Sequence, residues 1–170
     1  EKAFKKIQET QYEGILFINL SPKSLIMGDF INKINGFVYK YGIQKDKIVF
    51  EITERETVKN FSLLEKFVYT LKLEGYKFAI DDFGSGFSSF KKKKKFPIDY
   101  VKIDGDFIVN INKDEKDRAF VNSIVTLAKE LKIQTVAEFV ENEEIVQVLN
   151  ALEIDYYQGF HIGKPAQKFI

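Results

Sequence analysis

The feature of this sequence that most constrains its fold is an alternation of short, nearly continuous apolar runs with longer amphipathic stretches. Apolar runs of this length are typical of β-strands that are buried on both faces, as in a parallel sheet. The six runs cover residues 15–20, 48–53, 78–81, 100–103, 134–137 and 156–160. Strand followed by helix, repeated along the chain, predicts a series of βα units and an α/β fold.

The stretches between the runs carry apolar residues at helical spacing. Residues 61–73 show the pattern clearly, and residues 118–131 and 143–152 repeat it. A longer, less regular helix is predicted over residues 24–41, and residues 1–12 read as the tail of a helix that enters the first strand. Because no linker or break in composition separates these elements, we expect one α/β domain over residues 1–170, either doubly wound or a barrel.

Composition excludes several classes of site. The chain has no cysteine and one histidine, so disulfides, thiolate nucleophiles, cysteine-based zinc sites and multi-histidine metal sites are excluded. No apolar run approaches the roughly 20 residues that span a bilayer, so we expect a cytoplasmic domain. The net charge of +1 gives no general attraction to a nucleic acid polymer, and no such partner is expected.

Polar residues recur at the carboxyl end of every apolar run. They are Asn19, Glu51, Asp81, Asp82, Lys102, Glu138 and Gln158. Any one of them is explained equally well as a turn former or a helix cap. Since all six runs end in this way, a shared site is the better interpretation. The carboxyl ends of strands converge on one face of a (β/α) barrel, whereas an open sheet brings together only the ends near a switch point, so the pattern favours the barrel.

The side chains in this set are mostly oxygen donors. Carboxylate and amide oxygens suit the hard cations Mg²⁺ and Mn²⁺ better than Zn²⁺ or copper. Adjacent aspartates such as Asp81 and Asp82 can serve two ions about 3.5–4 Å apart, the arrangement used in two-metal phosphodiester hydrolysis. Lys102 and bound cations would relieve the repulsion between the crowded carboxylates.

Taken together, these motifs resemble the EAL-domain family, the cyclic di-GMP phosphodiesterases of bacterial signalling. The resemblance extends from about Gly14 to Pro165. Its motifs, in order, are Asn19-Leu20-Ser21-Pro22, Glu51-Ile52-Thr53-Glu54, Asp81-Asp82-Phe83-Gly84-Ser85-Gly86, Val101-Lys102-Ile103-Asp104, Ala137-Glu138-Phe139-Val140-Glu141 and Gln158-Gly159-Phe160.

The resemblance implies a (β/α)8 TIM-like barrel whose first strand is antiparallel to the others. It implies hydrolysis of cyclic di-GMP to linear pGpG with two Mg²⁺ or Mn²⁺ ions, and inhibition by Ca²⁺. It also implies a homodimer and a fused sensor or GGDEF-type domain upstream. Because a barrel of this kind needs about 250 residues, the 170 residues are expected to hold about six of eight strands, the C-terminal three quarters of the domain. An open barrel with a gap beside the strand of Asn19 is therefore predicted.

The resemblance also implies roles for single residues. Metal ligands would be Asn19, Glu51, Asp81 and, for a second ion, Asp82. Lys102 would position the attacking water, and Glu138 would be either a ligand of the second ion or the general base. Gln158 and Ser85 would lie near the substrate, and Glu54 would steady the loop after Asp82.

Three departures from the family pattern leave other functions open. The segment that names the family, with its metal-binding Glu, is absent; Phe139 replaces the usual Gly; and residues 91–95 are five lysines where the family mixes in apolar residues. Phe139 is expected to crowd the site or tilt Glu138. The alternatives are a degenerate domain that binds cyclic di-GMP as a receptor, and a regulatory module that only dimerises.

Overall fold

The computed structural model of the chain describes residues 1–21, 29–59, 61–84 and 97–166, without the side chains of residues 58, 59 and 61–63. The described residues cluster into two compact units, one comprising the described part of residues 1–78 with Pro97 and Ala166, and the other comprising residues 79–84 and 98–165. Each unit contains parallel strands and helices, so the predicted α/β class is confirmed. The predictions of one barrel domain over residues 1–170 and of a gap beside Asn19 stay predictions.

The first unit pairs two parallel strands. Its elements are α1 (Lys2–Thr10), β1 (Leu16–Asn19), α2 (Phe30–Tyr41), a 3₁₀ helix (Lys45–Lys47), β2 (Ile48–Thr53), α3 (Glu54–Lys59) and α4 (Phe61–Leu73). The register runs from Leu16 opposite Ile48 to Asn19 opposite Glu51. Of the predicted helix over residues 24–41, the described part begins at Phe30 and ends where Gly42 takes a left-handed φ of 64°.

The core of the first unit forms around β2, whose first five residues are all buried. The Phe50 ring packs edge-on against Tyr76 and Phe30, at centroid distances of 5.4 and 5.8 Å. Leu64, Val68 and Leu71 bury the predicted apolar face of α4. Burying side chains of this size stabilises a fold by roughly 1.5–3 kcal/mol each, which fixes the strand that ends near Glu51.

The second unit pairs its strands in chain order. Its elements are β3 (Lys77–Phe83, of which the first two residues belong to the first unit), β4 (Tyr100–Ile103), a 3₁₀ helix (Gly105–Phe107), α5 (Glu115–Leu131), β5 (Gln134–Ala137), α6 (Glu143–Ala151) and β6 (Tyr156–Tyr157). The pairs β3–β4, β4–β5 and β5–β6 are all parallel. Their carboxyl ends therefore lie at one edge of this sheet.

Capping side chains set the helix starts of the second unit. α5 begins at Glu115, three residues before the predicted start, because an Asp114 carboxylate oxygen accepts the backbone N–H of Lys116 at 2.7 Å. The predicted cap of α6 is confirmed, since the Asn142 side-chain oxygen accepts the backbone N–H of Ile145 at 3.0 Å. These caps hold the helices that follow β4 and β5 along the chain.

The sixth predicted strand was too long. β6 covers only Tyr156–Tyr157. The backbone N–H of Gln158 still donates to the Ala137 carbonyl, but a turn that begins at Gly159 ends the strand there. A Cβ at Gly159 would lie 2.2 Å from the backbone nitrogen of Val140, so only glycine fits where these two segments meet. Within the described residues, no helix combines the length and the apolar character needed to cross a bilayer.

Candidate metal centre

An irregularity in β3 brings two aspartates to one site. Between Ile80 and Phe83, β3 advances three residues while β4 advances two, from Val101 to Ile103. The extra residue bends the strand, and Asp82 takes a left-handed φ of 50°. Successive side chains of a regular strand point to opposite faces. The bulge instead lets Asp81 and Asp82 approach the same third carboxylate, that of Glu138.

Lys102 bridges two of these carboxylates. Its Nζ lies 2.9 Å from Asp81 Oδ1 and 2.8 Å from Glu138 Oε1. Lys102 is 5% exposed and Glu138 is 8% exposed, so both ion pairs lie largely away from water. The strands supply this arrangement directly, because Lys102 lies opposite Val136 in the β4–β5 register and Glu138 follows the last residue of β5.

The protonation of Glu138 is set by opposing effects. Burial raises the pKa of the Glu138 carboxyl to about 7; the adjacent Lys102 ammonium works against this shift, and the negative charge of Asp81 adds to it. A carboxyl group with a pKa near neutral pH can both accept and release a proton under physiological conditions.

The carboxylates fit a divalent cation. One oxygen from each of Asp81, Asp82 and Glu138 lies within 4.8 Å of the others. Ligands on opposite sides of an octahedral Mg²⁺ are about 4 Å apart, so small movements would bring these three oxygens onto one ion. The donors are all hard oxygens, which suits Mg²⁺ and Mn²⁺.

The predicted residues of the first unit form a second group. Asn19 at the end of β1 lies opposite Glu51 in β2, and the backbone N–H of Leu20 donates to the Glu51 carbonyl at 2.8 Å. Glu54 is the first residue of α3 and is 2% exposed. Asn19, the last residue of β1, therefore lies beside Glu51, two residues before the end of β2.

The remaining predicted residues have separate outcomes. Gln158 follows β6, and its backbone carbonyl accepts the N–H of Val140, so it lies beside the segment that carries Glu138. Ser85 and the lysines at 91–95 lie outside the described residues, and their roles stay predictions. His161 contacts Glu143 at 3.2 Å on the exposed surface and joins none of the groups above.

Phe139 occupies a backbone conformation that favours glycine. Its φ is 55°, and its ring lies against Gly105, where an added Cβ would be 2.2 Å from Phe139 Cδ2. The ring is 59% exposed, and Glu138 still reaches Lys102. This φ explains why the family pattern has glycine at position 139. Here the phenylalanine is accommodated because its side chain is largely exposed to solvent.

Replacing Phe139 with glycine is expected to raise the free energy of unfolding by about 0.5–1 kcal/mol, because the left-handed conformation costs a residue with a Cβ more than it costs glycine. Urea denaturation measures the change. The matched control is Phe139→Ala, which removes the ring but keeps the Cβ. Equal stabilities of the Gly and Ala variants would show that the backbone conformation is not strained.

The sequence motifs contain two residues near Phe139 to which no role was given. Glu141 and Phe160 line a cavity of about 200 Å³ with Phe139, Gln158 and Gly159. The signal for Glu141 was its position three residues after Glu138, beyond the end of the same strand. The apolar run predicts Phe160 in a buried strand, whereas it lies in a turn and is 63% exposed.

Comparison with known proteins gives a consistent result. The family model for the EAL domain matches residues 1–165. A cyclic di-GMP phosphodiesterase from Borreliella burgdorferi, PdeA, is 44% identical over 151 residues, which cover 89% of this chain and 22% of that protein. PdeB of Shewanella oneidensis, also a cyclic di-GMP phosphodiesterase, is 41% identical over 148 residues, covering 87% of this chain and 17% of that protein. The chain thus spans about a fifth of the length of these relatives.

A solved structure shares the fold. BlrP1 of Klebsiella pneumoniae, in a complex with manganese and cyclic di-GMP, superposes with a TM-score of 0.87 at 32% identity, covering 93% of this chain and 41% of that one. A calcium and cyclic di-GMP complex of the same protein superposes equally well. The likeness confirms the predicted barrel-type α/β fold.

Proposed function

Because this chain belongs to the EAL domain family, we propose that it supplies the catalytic domain of a phosphodiesterase that hydrolyses cyclic di-GMP to linear pGpG. The observation that carries the proposal is the buried contact of Lys102 with Asp81 and Glu138, beside the Asp82 carboxylate. Three acidic groups and a lysine gathered at strand ends are costly for a fold alone, and they suit metal-assisted phosphodiester cleavage.

The proposal assigns the oxygen donors to two divalent cations, Mg²⁺ or Mn²⁺. Asp81 would hold one ion and Asp82 the other, with Asn19 and Glu51 as further ligands. When bound, such ions polarise a phosphoryl oxygen and acidify a coordinated water. One oxygen from each of Asp81, Asp82 and Glu138 lies within 4.8 Å of the others, which supports a cation at this cluster, and the second ion rests on the family resemblance.

Lys102 and Glu138 would act together on the attacking water, with Glu138 accepting its proton. The Lys102 ammonium holds Glu138 through a 2.8 Å contact and would orient the attacking water. The water oxygen bonds to phosphorus, its proton passes to Glu138, and the bond from phosphorus to the 3′ oxygen breaks. The leaving 3′ oxygen takes up the proton that Glu138 releases, which gives a free 3′ hydroxyl, a 5′-phosphorylated linear dinucleotide and an unprotonated Glu138. Glu138 instead binding the second ion is the alternative assignment for this residue.

Other parts of the proposal rest on the family. Gln158 and Ser85 would contact the substrate, and Glu54 would steady the loop after Asp82. A homodimer, a sensor or GGDEF-type domain upstream and a cytoplasmic location are proposed on the same ground, and the greater length of the relatives agrees with further domains.

A receptor that binds cyclic di-GMP without cleaving it is the second candidate. Phe139 in place of glycine favoured that role in the sequence. In the structure the ring is accommodated, and the Lys102–Glu138 contact that cleavage would use is present. Hydrolysis is therefore the better-supported function.

Metal-dependent turnover tests the proposal. The full-length gene product that contains this chain is incubated with cyclic di-GMP in Mg²⁺, Mn²⁺, Ca²⁺ or a chelator, and the products are separated chromatographically. We expect pGpG with Mg²⁺ or Mn²⁺ and none with Ca²⁺ or the chelator. Binding without product in every cation would support the receptor, and no binding at all would exclude both functions.

A further inference from the structure

The backbone that carries Asp82 leaves the sheet in an unusual conformation. Asp82 and Gly84 both take left-handed φ angles, of 50° and 109°, on either side of the buried Phe83. A residue with a Cβ, such as Asp82, disfavours this conformation and keeps it only where neighbouring contacts hold it. The contacts made by Phe83 and Gly84 therefore determine where the Asp82 carboxylate lies.

Two contacts hold this segment within the second unit. The backbone N–H of Asp104 donates to the Phe83 carbonyl at 3.2 Å. One residue further on, Gly84 lies directly against two phenylalanine rings. A Cβ added to Gly84 would be 2.8 Å from Phe107 Cε2 and 2.9 Å from Phe120 Cε1, so these rings leave room for glycine alone.

The two rings stack on each other, and we call Phe107 and Phe120 the aromatic pair. Their centroids are 4.3 Å apart and their planes differ by 28°. Phe107 ends the 3₁₀ helix that follows β4, and Phe120 lies on α5; both are half-buried. Stacking favours this arrangement beyond the apolar area that it buries, and close-packed side chains resist displacement. The aromatic pair therefore presents a rigid surface to Gly84.

We propose that the aromatic pair positions Asp82 for cation binding, with Phe120 as the positioning residue on α5. The rings hold Gly84, and Gly84 together with the Phe83 carbonyl holds the bulge of β3. The bulge in turn keeps the Asp82 carboxylate in the acidic cluster of the metal centre. The inference rests on the proposed function, because it takes Asp82 as a ligand of a divalent cation.

Binding of Mn²⁺ alone tests the proposal. Calorimetry of the full-length gene product that contains this chain compares wild type with Phe120→Leu and Phe120→Tyr, and it follows the binding step that Asp82→Asn abolishes. Losing a group that orients a metal ligand weakens metal binding by about 10- to 100-fold. We expect a loss of about 10-fold or more in the Leu variant. The Tyr variant, which keeps the ring, should bind nearly as wild type does.

Phe37→Leu is the matched control for these measurements. Phe37 is also a half-buried phenylalanine on a helix, and its ring centroid lies 5.9 Å from that of Phe4 in the first unit. Replacing it removes an aromatic contact of the same kind without touching Gly84. We expect its Mn²⁺ affinity to equal that of wild type, and an equal loss in Phe37→Leu and Phe120→Leu would overturn the specific role of Phe120.

A double-mutant cycle tests the contact between Gly84 and Phe120. Gly84→Ala adds the Cβ that would clash with both rings, so it should weaken Mn²⁺ binding in the wild-type background. Phe120→Ala removes one of the rings, so Gly84→Ala should weaken binding less in that background. Substitutions at independent sites have additive effects. An equal effect of Gly84→Ala in both backgrounds would therefore overturn the role given to Phe120.

The Mn²⁺ dependence of hydrolysis separates positioning from a general loss of structure. Phe120→Leu should raise the Mn²⁺ concentration that gives the half-maximal rate by about the same factor as it weakens Mn²⁺ binding, and saturating Mn²⁺ should restore most of kcat. A purely structural defect would lower the rate at every Mn²⁺ concentration and leave the half-maximal concentration unchanged. That result would overturn the proposal.

The outcomes also separate the positioning role from the reaction. A Phe120→Leu variant that binds Mn²⁺ as wild type does overturns the role of Phe120 even in an active phosphodiesterase. Weaker Mn²⁺ binding by this variant in a protein that never forms pGpG supports the role and overturns the phosphodiesterase. Mn²⁺ binding that Asp82→Asn leaves unchanged overturns the role of Phe120 together with the assignment of Asp82 as a ligand.

Discussion

Replacing Lys102 with methionine is expected to lower the rate of cyclic di-GMP hydrolysis by about a thousandfold, because the general base Glu138 and the attacking water lose the group that orients them. The ammonium of Lys102 is the positive group between Asp81 and Glu138, at 2.9 and 2.8 Å. Methionine has a similar length and no charge, so the water and both carboxylates would lose their orientation. Steady-state kinetics in Mg²⁺ or Mn²⁺ measures the loss.

The same substitution should also lower the free energy of unfolding in the absence of divalent cations. Breaking a buried ion pair by removing one partner costs roughly 3–5 kcal/mol, because the remaining charges are left uncompensated. Lys129→Met is the matched control, since Lys129 pairs with Glu153 on the exposed surface and should matter little to either measurement. A Lys102→Met enzyme with wild-type kcat would contradict the role given to Lys102.

In the cation-free protein, the pH dependence of the free energy of unfolding is expected to show the raised pKa of Glu138. Its pKa is raised from 4.5 to about 7 by folding, so the folded state binds this proton more tightly than the unfolded state. The resulting stabilisation is complete below pH 4.5 and is lost as the pH rises through 7. A shift of this size amounts to about 3 kcal/mol across that window.

Urea denaturation at several pH values, in a chelator, measures this loss for wild type and for Glu138→Gln. The Gln variant does not titrate, so the difference between the two curves isolates Glu138 from the other carboxyl groups. We expect the wild-type free energy of unfolding to fall relative to that of the variant between pH 5 and pH 8. Parallel curves would show that Glu138 titrates normally in the folded protein.

Much of the fold could be predicted because buried segments of the chain are rich in apolar residues. The bounds of β2, β4 and β5 match their apolar runs, since strands that are covered on both faces are mostly apolar. The run at residues 156–160 instead predicts a strand that is too long, because not all of its residues are buried. Its last residue, Phe160, is apolar but exposed, and the contact of Gly159 with Val140, a tertiary feature, ends the strand.

The candidate site could be predicted as a set of residues and less well as a geometry. Polar residues at strand ends identified Asp81, Lys102 and Glu138, which the structure brings into contact. The bulge at Asp82 depends on the register between β3 and β4, which no local pattern records. The outward ring of Phe139 likewise depends on Gly105, 34 positions earlier in the chain, so sequence alone suggested crowding.

The most direct test of the account is the rate of pGpG formation by wild type and by Asp81→Asn under the same conditions. Asparagine keeps the shape of Asp81 and removes the charge that faces Lys102 and would bind a cation. We expect wild type to convert cyclic di-GMP to pGpG in Mg²⁺ or Mn²⁺ and Asp81→Asn, still folded, to lose at least about a hundredfold in rate. Equal rates for the two proteins, or no product from wild type, would contradict it.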